Sequence, residues 1–137
     1  MFPDLEGFDH IHVYVANREK AAAWYEEVLG FTTNEMLLPW ADNVHGPLTI
    51  EDPTGKIHLA LFTNNAFIPQ TAIAFRTGGK DFLGWKSYLE EQKLLLRCTD
   101  HKVAWSVYFN DLDQNMYEIT TYEHGYVADR LDRPDGA

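Results

Sequence analysis

Residues 8–31 read FDHIHVYVANREKAAAWYEEVLGF, and residues 52–62 read DPTGKIHLALF. The same organisation returns at residues 70–94, QTAIAFRTGGKDFLGWKSYLEEQKL, and at residues 111–122, DLDQNMYEITTY. In each half a strand pattern precedes a helix pattern, and an Asp-containing turn precedes the last strand. This duplication predicts an α+β fold built from two tandem β-α-β-β-β modules with mixed sheets and helices packed outside.

The module boundaries follow from where the two copies begin and end. A length of 137 residues suits one domain with a real hydrophobic core. We therefore expect a single domain over residues 1–137. It comprises module one at 8–62, a linker at 63–69, module two at 70–122 and a tail at 123–137 with one or two helical turns and a frayed end.

Periodicity predicts the individual elements. Residues 9–15 alternate between polar and apolar side chains, as in a strand with two different faces. Asn17 is the predicted N-cap of a helix over 18–29, and Gly30 ends that helix. Trp24, Trp85 and Trp105 are predicted to lie in the core rather than in the site. The other predicted elements are strands at 31–38, 47–51, 57–62, 71–77, 94–98, 103–110 and 115–122, and a helix at 80–93.

Composition narrows the class of protein. The formal net charge of −10 argues against a surface for nucleic acid or anionic membrane, which needs a basic stripe. Cys98 is the only cysteine, which excludes an internal disulfide and a thiolate cluster. No apolar run approaches the roughly 20 residues of a membrane span, and the N-terminus is acidic rather than signal-like. We expect a soluble, cytoplasmic protein.

Motifs at both ends of the repeat carry a family resemblance. The DHI at 9–11 and the helix end LGF at 29–31 resemble the opening motif of the vicinal-oxygen-chelate superfamily. The DLDQN at 111–115 and MYE at 116–118 resemble its closing Asp-Pro-Asp-Gly-Asn…Glu signature, with departures at the Pro and Gly positions. That family includes glyoxalase I, fosfomycin-resistance thiol transferases, bleomycin-resistance proteins and extradiol dioxygenases.

The resemblance implies two half-barrels whose curved mixed sheet forms a cleft around one divalent metal ion, with two ligand positions in each module. Overlaying the copies puts His10 opposite Ala72 and His58 opposite Glu118. His10, His58 and Glu118 are therefore the predicted ligands, and Ala72 supplies none. Strand parity agrees, because His58 and Glu118 each face away from the aliphatic side chains of their strands. Two imidazoles and a carboxylate suit Fe, Zn, Mn or Ni.

Further residues are predicted around that metal. A lone His on a strand is more often structural than functional, so these assignments depend on the motif context. His101 and His12 are candidate general acids or bases. His12 would otherwise be a second ligand in a His-x-His pair, a role we rank below a cleft-lining one. The expected walls of the substrate cleft are Tyr14, Ala72, Arg76, Tyr108 and Tyr122.

The resemblance implies a metal-dependent enzyme, with extradiol-dioxygenase-like or glyoxalase-like lyase or isomerase activity fitting the motifs best. It also implies a homodimer. A rival is a metal-free protein that sequesters a small molecule, as bleomycin-resistance proteins do. The charge of −10 would suit a cationic drug, and Ala72 is the kind of ligand loss expected there. A ferredoxin-like dimeric barrel is a third reading, but it does not account for the Asp turns.

Overall fold

The computed structural model of the chain describes residue 2, residues 4–64, residue 66 and residues 72–131. It divides into two compact units, Met1–Ile68 and Pro69–Ala137. Each unit contains one four-stranded mixed sheet with its long helix packed against one face, as the α+β prediction required. The end of the predicted linker, Gln70, Thr71 and the last six residues of the predicted tail lie outside the described residues.

The first unit has the predicted β-α-β-β-β order with one addition, a 3-10 helix. Its sheet runs in the order β1-β4-β3-β2, with β1 parallel to β4 and the other pairs antiparallel. Its elements are β1 Ile11–Val15, α1 Arg18–Leu29, β2 Thr32–Thr33, the 3-10 helix Glu35–Asp42, β3 Leu48–Glu51 and β4 His58–Thr63.

The second unit repeats this topology. Its sheet runs in the order β5-β8-β7-β6, with β5 parallel to β8 and the other pairs antiparallel. The predicted helical turns of the tail form a third helix that packs on the second. The elements are β5 Ile73–Arg76, α2 Gly79–Glu91, β6 Arg97–Asp100, β7 Trp105–Asn110, β8 Met116–Thr121 and α3 His124–Leu131.

Helix α1 begins and ends at the predicted residues. The Asn17 side chain accepts a hydrogen bond from the Lys20 backbone N–H at 2.8 Å, which satisfies one of the free donors of the first turn. Gly30 then takes a left-handed conformation, with φ of 75°, that stops the helix. The buried stripe of α1 includes Tyr25, which is fully inaccessible to solvent.

Each sheet buries one face and leaves the other for polar side chains. In the first unit the buried face carries the alternating aliphatic residues of three strands, and in the second unit it carries aliphatic and aromatic residues. Trp24, Trp85 and Trp105 are only partly buried, so the prediction that they are core residues was wrong. The fully buried large side chains are Val13, Val15, Tyr25, Ile50, Leu59, Leu61, Phe82, Leu89, Val107, Phe109, Tyr117 and Val127.

The predicted strand at 31–38 was wrong beyond Thr33. The Asn34 side chain accepts a hydrogen bond from the Leu37 N–H and caps the 3-10 helix instead. Pro39 lies inside that helix and has no N–H to offer a strand ladder. The capping Asn34 and Pro39 are the sequence features that favour the 3-10 helix over a strand here. Among the described residues, no helix is long and apolar enough to cross a membrane.

Candidate metal centre

The first unit presents a row of imidazoles on the open face of its sheet. His12 on β1 lies on the face opposite the buried Val13, and the β1–β4 register pairs His12 with Ala60. Continuing that register by one residue places His10 beside His58. The three histidines therefore share one sheet face, as strand parity predicted.

His10 is held on both sides of its ring. Its Nδ1 lies 2.7 Å from the Asp9 carboxylate, and its Nε2 lies 3.1 Å from Nε2 of His12. Since an ionised carboxylate only accepts, Nδ1 carries the proton and Nε2 presents a lone pair. A carboxylate on the far nitrogen is the usual arrangement for a metal-ligating histidine. The Trp40 ring, on the 3-10 helix, lies with its centroid 6.4 Å from that of His10.

His58 lies on the predicted face, but the repeat argument that selected it was wrong. In the second unit Glu118 pairs with Ala74, whereas in the first unit the matching strand position, His12, pairs with Ala60. The counterpart of Glu118 is therefore Ala60, two residues beyond His58. His58 instead lies next to Glu51, with 3.5 Å between its Nε2 and the Glu51 carboxylate.

Glu118 sits on the open face of the second sheet. Its carboxylate accepts a hydrogen bond from the Ser106 hydroxyl at 2.7 Å, and that hydroxyl is 3.0 Å from the one of Thr120. Tyr108 pairs directly with Glu118 across β7 and β8. Ser106 thus fixes one carboxylate oxygen, as the supporting partners of metal ligands do.

His101 reaches the same face through Tyr108. Its Nε2 lies 2.9 Å from the Tyr108 hydroxyl, and Tyr108 is almost fully buried. The Arg97 guanidinium lies over the Tyr108 ring, 4.2 Å from its centroid. An exposed imidazole thus connects through a buried phenol to the neighbourhood of Glu118, an arrangement suited to moving protons.

The other predicted cleft residues lie either on an open sheet face or next to the end of a strand. Tyr14 lies beside Phe62 on the open face of the first sheet, and their ring centroids are 5.9 Å apart. Arg76 on β5 pairs with Thr120 and so shares the face of Glu118. Ala72 and Tyr122 are exposed, each just beyond the end of a strand.

Two residues outside this set differ in character. Cys98 pairs with Val107 on the buried face, and burial raises the pKa of its thiol, as expected of an unreactive cysteine. His124 is half-buried. It stacks on Trp105 and lies 2.7 Å from the Asp100 carboxylate, and this hydrogen bond lowers the pKa of Asp100.

Several supporting residues were missed from the sequence. Asp9 was predicted only as part of the opening motif, and no role was predicted for Ser106 or Arg97. The position of Asp9 next to a candidate ligand is a usable signal. Ser106 and Arg97 carry none, because their contacts depend on the register between neighbouring strands.

Each unit offers a side chain whose own chemistry suits a divalent metal. His10 offers an oriented lone pair backed by Asp9, and Glu118 offers a carboxylate oriented by Ser106. Within the described part of the chain, no three His, Cys, Asp or Glu side chains already converge as a closed metal cage. His10 and His12 are the pair whose nitrogens do meet.

Comparison with known proteins agrees with this architecture. Residues 7–119 match the family model of the Glyoxalase/Bleomycin resistance protein/Dioxygenase superfamily. The metallothiol transferase FosB of Staphylococcus epidermidis is 31% identical, with 93% of this chain and 89% of that protein covered. FosB of Staphylococcus haemolyticus is 30% identical over the same shares.

Solved structures show the same fold. The lactoylglutathione lyase of Agrobacterium tumefaciens is 18% identical with a TM-score of 0.68, covering 87% of this chain and 96% of that one. A FosX mutant of Listeria monocytogenes, complexed with Mn(II) and 1S,2S-dihydroxypropylphosphonic acid, is 14% identical with a TM-score of 0.70. It covers 95% of this chain and all of that one. The chain therefore belongs to the glyoxalase/bleomycin resistance protein/dioxygenase superfamily.

Proposed function

We propose that this protein is a divalent-metal-dependent enzyme that modifies a small molecule, with His10, His58 and Glu118 as metal ligands. The observation that supports it most is His10, whose Nδ1 is held by Asp9 while its Nε2 presents a lone pair. Glu118, oriented by Ser106, is the carboxylate ligand. The repeat does not support His58 as a ligand. Its position beside His10 on the open face does.

A metal held there would supply a Lewis acid that polarises an oxygen of the substrate. Other residues of the chain would contact the substrate. Tyr14 and Phe62 offer an aromatic wall, and Arg76 offers a positive charge for an anionic substrate group. Nitrogen and carboxylate ligands are compatible with Fe, Mn, Ni or Zn.

His101 is the proposed general acid or base. It is exposed, so it exchanges protons with solvent, and its Nε2 is within hydrogen-bond distance of Tyr108. Tyr108 lies across from Glu118, and the Arg97 guanidinium lies over its ring. The pair gives a proton a path from solvent to the open face.

For the reaction itself, we propose thiol transfer to, or isomerisation of, an oxygen-bearing small molecule. Relatives named metallothiol transferases support this, as does the match to the glyoxalase family model. We rank ring cleavage of the dioxygenase type below it. The rival function is metal-free sequestration of a small molecule, which Ala72 and the negative charge favour.

Metal analysis of the full chain separates the two functions. We expect about one equivalent of bound metal after incubation with Fe(II), Mn(II), Ni(II) and Zn(II) in turn, and loss of that metal in His10→Ala and Glu118→Ala. His45→Ala, at an exposed position of the first unit, is the matched control and should retain it. Less than about a tenth of an equivalent in the unaltered chain would favour sequestration. Full retention by His58→Ala would remove His58 from the set.

A further inference from the structure

The closest approach between two metal-binding nitrogens in the described residues of the first unit joins His10 and His12. Residues two apart on a strand project from the same face, and here the rings also stack, with centroids 5.0 Å apart and planes 19° from parallel. The His12 ring is further supported by Phe62, at 4.7 Å between centroids. The pair is therefore positioned by the strand and by ring contacts on both sides.

The distance between the two nitrogens suits a shared metal. Two Zn–N bonds of about 2.05 Å each, meeting at about 98°, span the 3.1 Å that separates the two Nε2 atoms. That angle lies between octahedral and tetrahedral values, so either geometry accommodates the pair with a small adjustment.

The positions of the protons on the two rings also permit a shared metal. Asp9 keeps the proton of His10 on Nδ1, so the contact between the two Nε2 atoms requires His12 to donate. A cation that takes the place of this proton makes His12 a second lone-pair donor, because the neutral imidazole then carries its single proton on Nδ1. The metal would thus replace a single hydrogen bond without moving either ring far.

A second observation on the same face is a buried hydroxyl without a hydrogen-bond partner among the described residues. Thr49 pairs with Ala60, and Ala60 pairs with His12, so the three lie in one row across the sheet. The Thr49 hydroxyl is buried and has no hydrogen-bond partner among the described residues. Buried hydroxyls are nearly always satisfied, so this row is where a bound group or its water would be accommodated.

We propose that His12 is a metal ligand and that His10 and His12 form a two-nitrogen chelate on strand β1. This rests on the proposed metal-dependent function and deepens it. Ala72 provides no imidazole ligand. His12, two residues after His10, provides a second one. This ligand role also replaces the general acid or base role predicted for His12.

The test measures Zn(II) affinity by competition with a chromophoric chelator, using the full chain. His12→Phe keeps a ring against His10 and Phe62 but removes the nitrogen, and Asp9→Asn weakens only the support of His10. A supporting partner costs about 10–100-fold in affinity, so we expect Asp9→Asn in that range and His12→Phe to lose more than about 100-fold. His45→Phe is the control and should match the unaltered chain.

A second readout reports coordination directly. Co(II) in place of Zn(II) should lose absorption intensity or shift its visible bands in His12→Phe, because one nitrogen leaves the coordination sphere. His12→Cys, kept reduced, should restore affinity, since thiolate is also a zinc ligand.

The outcomes are distinct. If the unaltered chain binds no metal, the proposed function and this inference fail together. If it binds metal and His12→Phe loses no more affinity than Asp9→Asn, or leaves the Co(II) bands unchanged, the chelate is overturned while the metal-dependent function stands. Circular dichroism on each variant identifies misfolding. If His12→Phe misfolds, the zinc affinity of His12→Cys decides whether position 12 provides a ligand.

Discussion

Gln114 holds a backbone conformation that L residues with long side chains rarely adopt. Its φ is 68°, close to the 72° of Gly55 at the matching position of the other Asp turn. Both turns are organised by the Asp at their start. Asp111 accepts hydrogen bonds from the Asp113 and Asn115 N–H groups, and Asp52 accepts from the Ile57 N–H. The turn geometry therefore survives the loss of the usual glycine, at a local energetic cost.

We predict that Gln114→Gly stabilises the protein by about 0.5–1 kcal/mol. The left-handed conformation costs a non-glycine residue about 1–2 kcal/mol, and the larger entropy that glycine loses on folding offsets part of the gain. The exposed hydrogen bond from Asn110 to Gln114 is lost and contributes little. Urea unfolding followed by circular dichroism gives the change.

The reciprocal substitution is the control for that experiment. Gly55→Gln should destabilise by about 1–2 kcal/mol, because it places a side chain at the same φ. Its Cβ would also approach the Glu51 carboxylate at 3.1 Å. Equal stability of all three proteins would show that the turns tolerate either residue.

At the scale of elements, Arg18 ties helix α1 to the 3-10 segment. Its guanidinium is buried and donates hydrogen bonds to the backbone carbonyls of Ala41, Asn43 and Gly46. Those residues follow Trp40, whose ring lies near His10. One side chain at the start of a helix thus positions an irregular segment beside the candidate ligands.

We predict that Arg18→Met lowers the free energy of unfolding by about 2–4 kcal/mol, because it leaves three carbonyls without their donor. Amide hydrogen exchange in residues 35–47 should accelerate more than elsewhere in the first unit. Arg130→Met, at an exposed position of α3, is the control and should cost under about 0.5 kcal/mol. Unchanged exchange in the segment would show that Arg18 does not hold it.

Strand parity was predicted more reliably than strand pairing. The faces assigned to His10, His58 and Glu118 are those in the structure, because a period of two depends only on the local sequence. The pairing of His58 with Glu118 across the repeat was wrong by two residues. A shift of the strand register by two residues keeps each side chain on its face but changes its neighbours. The sequence pattern alone therefore does not detect such a shift.

For the whole molecule, the two units share a topology but not a chemistry. The first contributes imidazoles, and the second contributes a carboxylate, a phenol and His101. The second unit's opening strand is preceded by Ala72, where the first has His10. Any activity assigned to this protein has to use that asymmetry.

We predict a homodimer, with a mass twice the 15.8 kDa of one chain in sedimentation experiments. Phe2, Leu5 and Phe8 are 95%, 94% and 97% exposed, and three large apolar side chains so close in sequence favour burial against a partner. Replacing all three by Ser should yield a monomer that keeps its circular dichroism spectrum. A monomeric unaltered chain at about 50 μM would contradict the prediction, since specific dimers with micromolar or tighter Kd assemble there.

The duplication, the two long helices, most strands and the face of each candidate ligand could be predicted from local signals, namely periodicity, caps and turn residues. Three further points depend on how the chain packs. The tertiary structure set the ladder register that separates His58 from the position of Glu118, and it brought Ser106 and Arg97 to their partners. It also set the ring orientations that bring Nε2 of His10 and His12 within 3.1 Å. These depend on which strands pair and how side chains pack, and neither is encoded within a few residues of the chain.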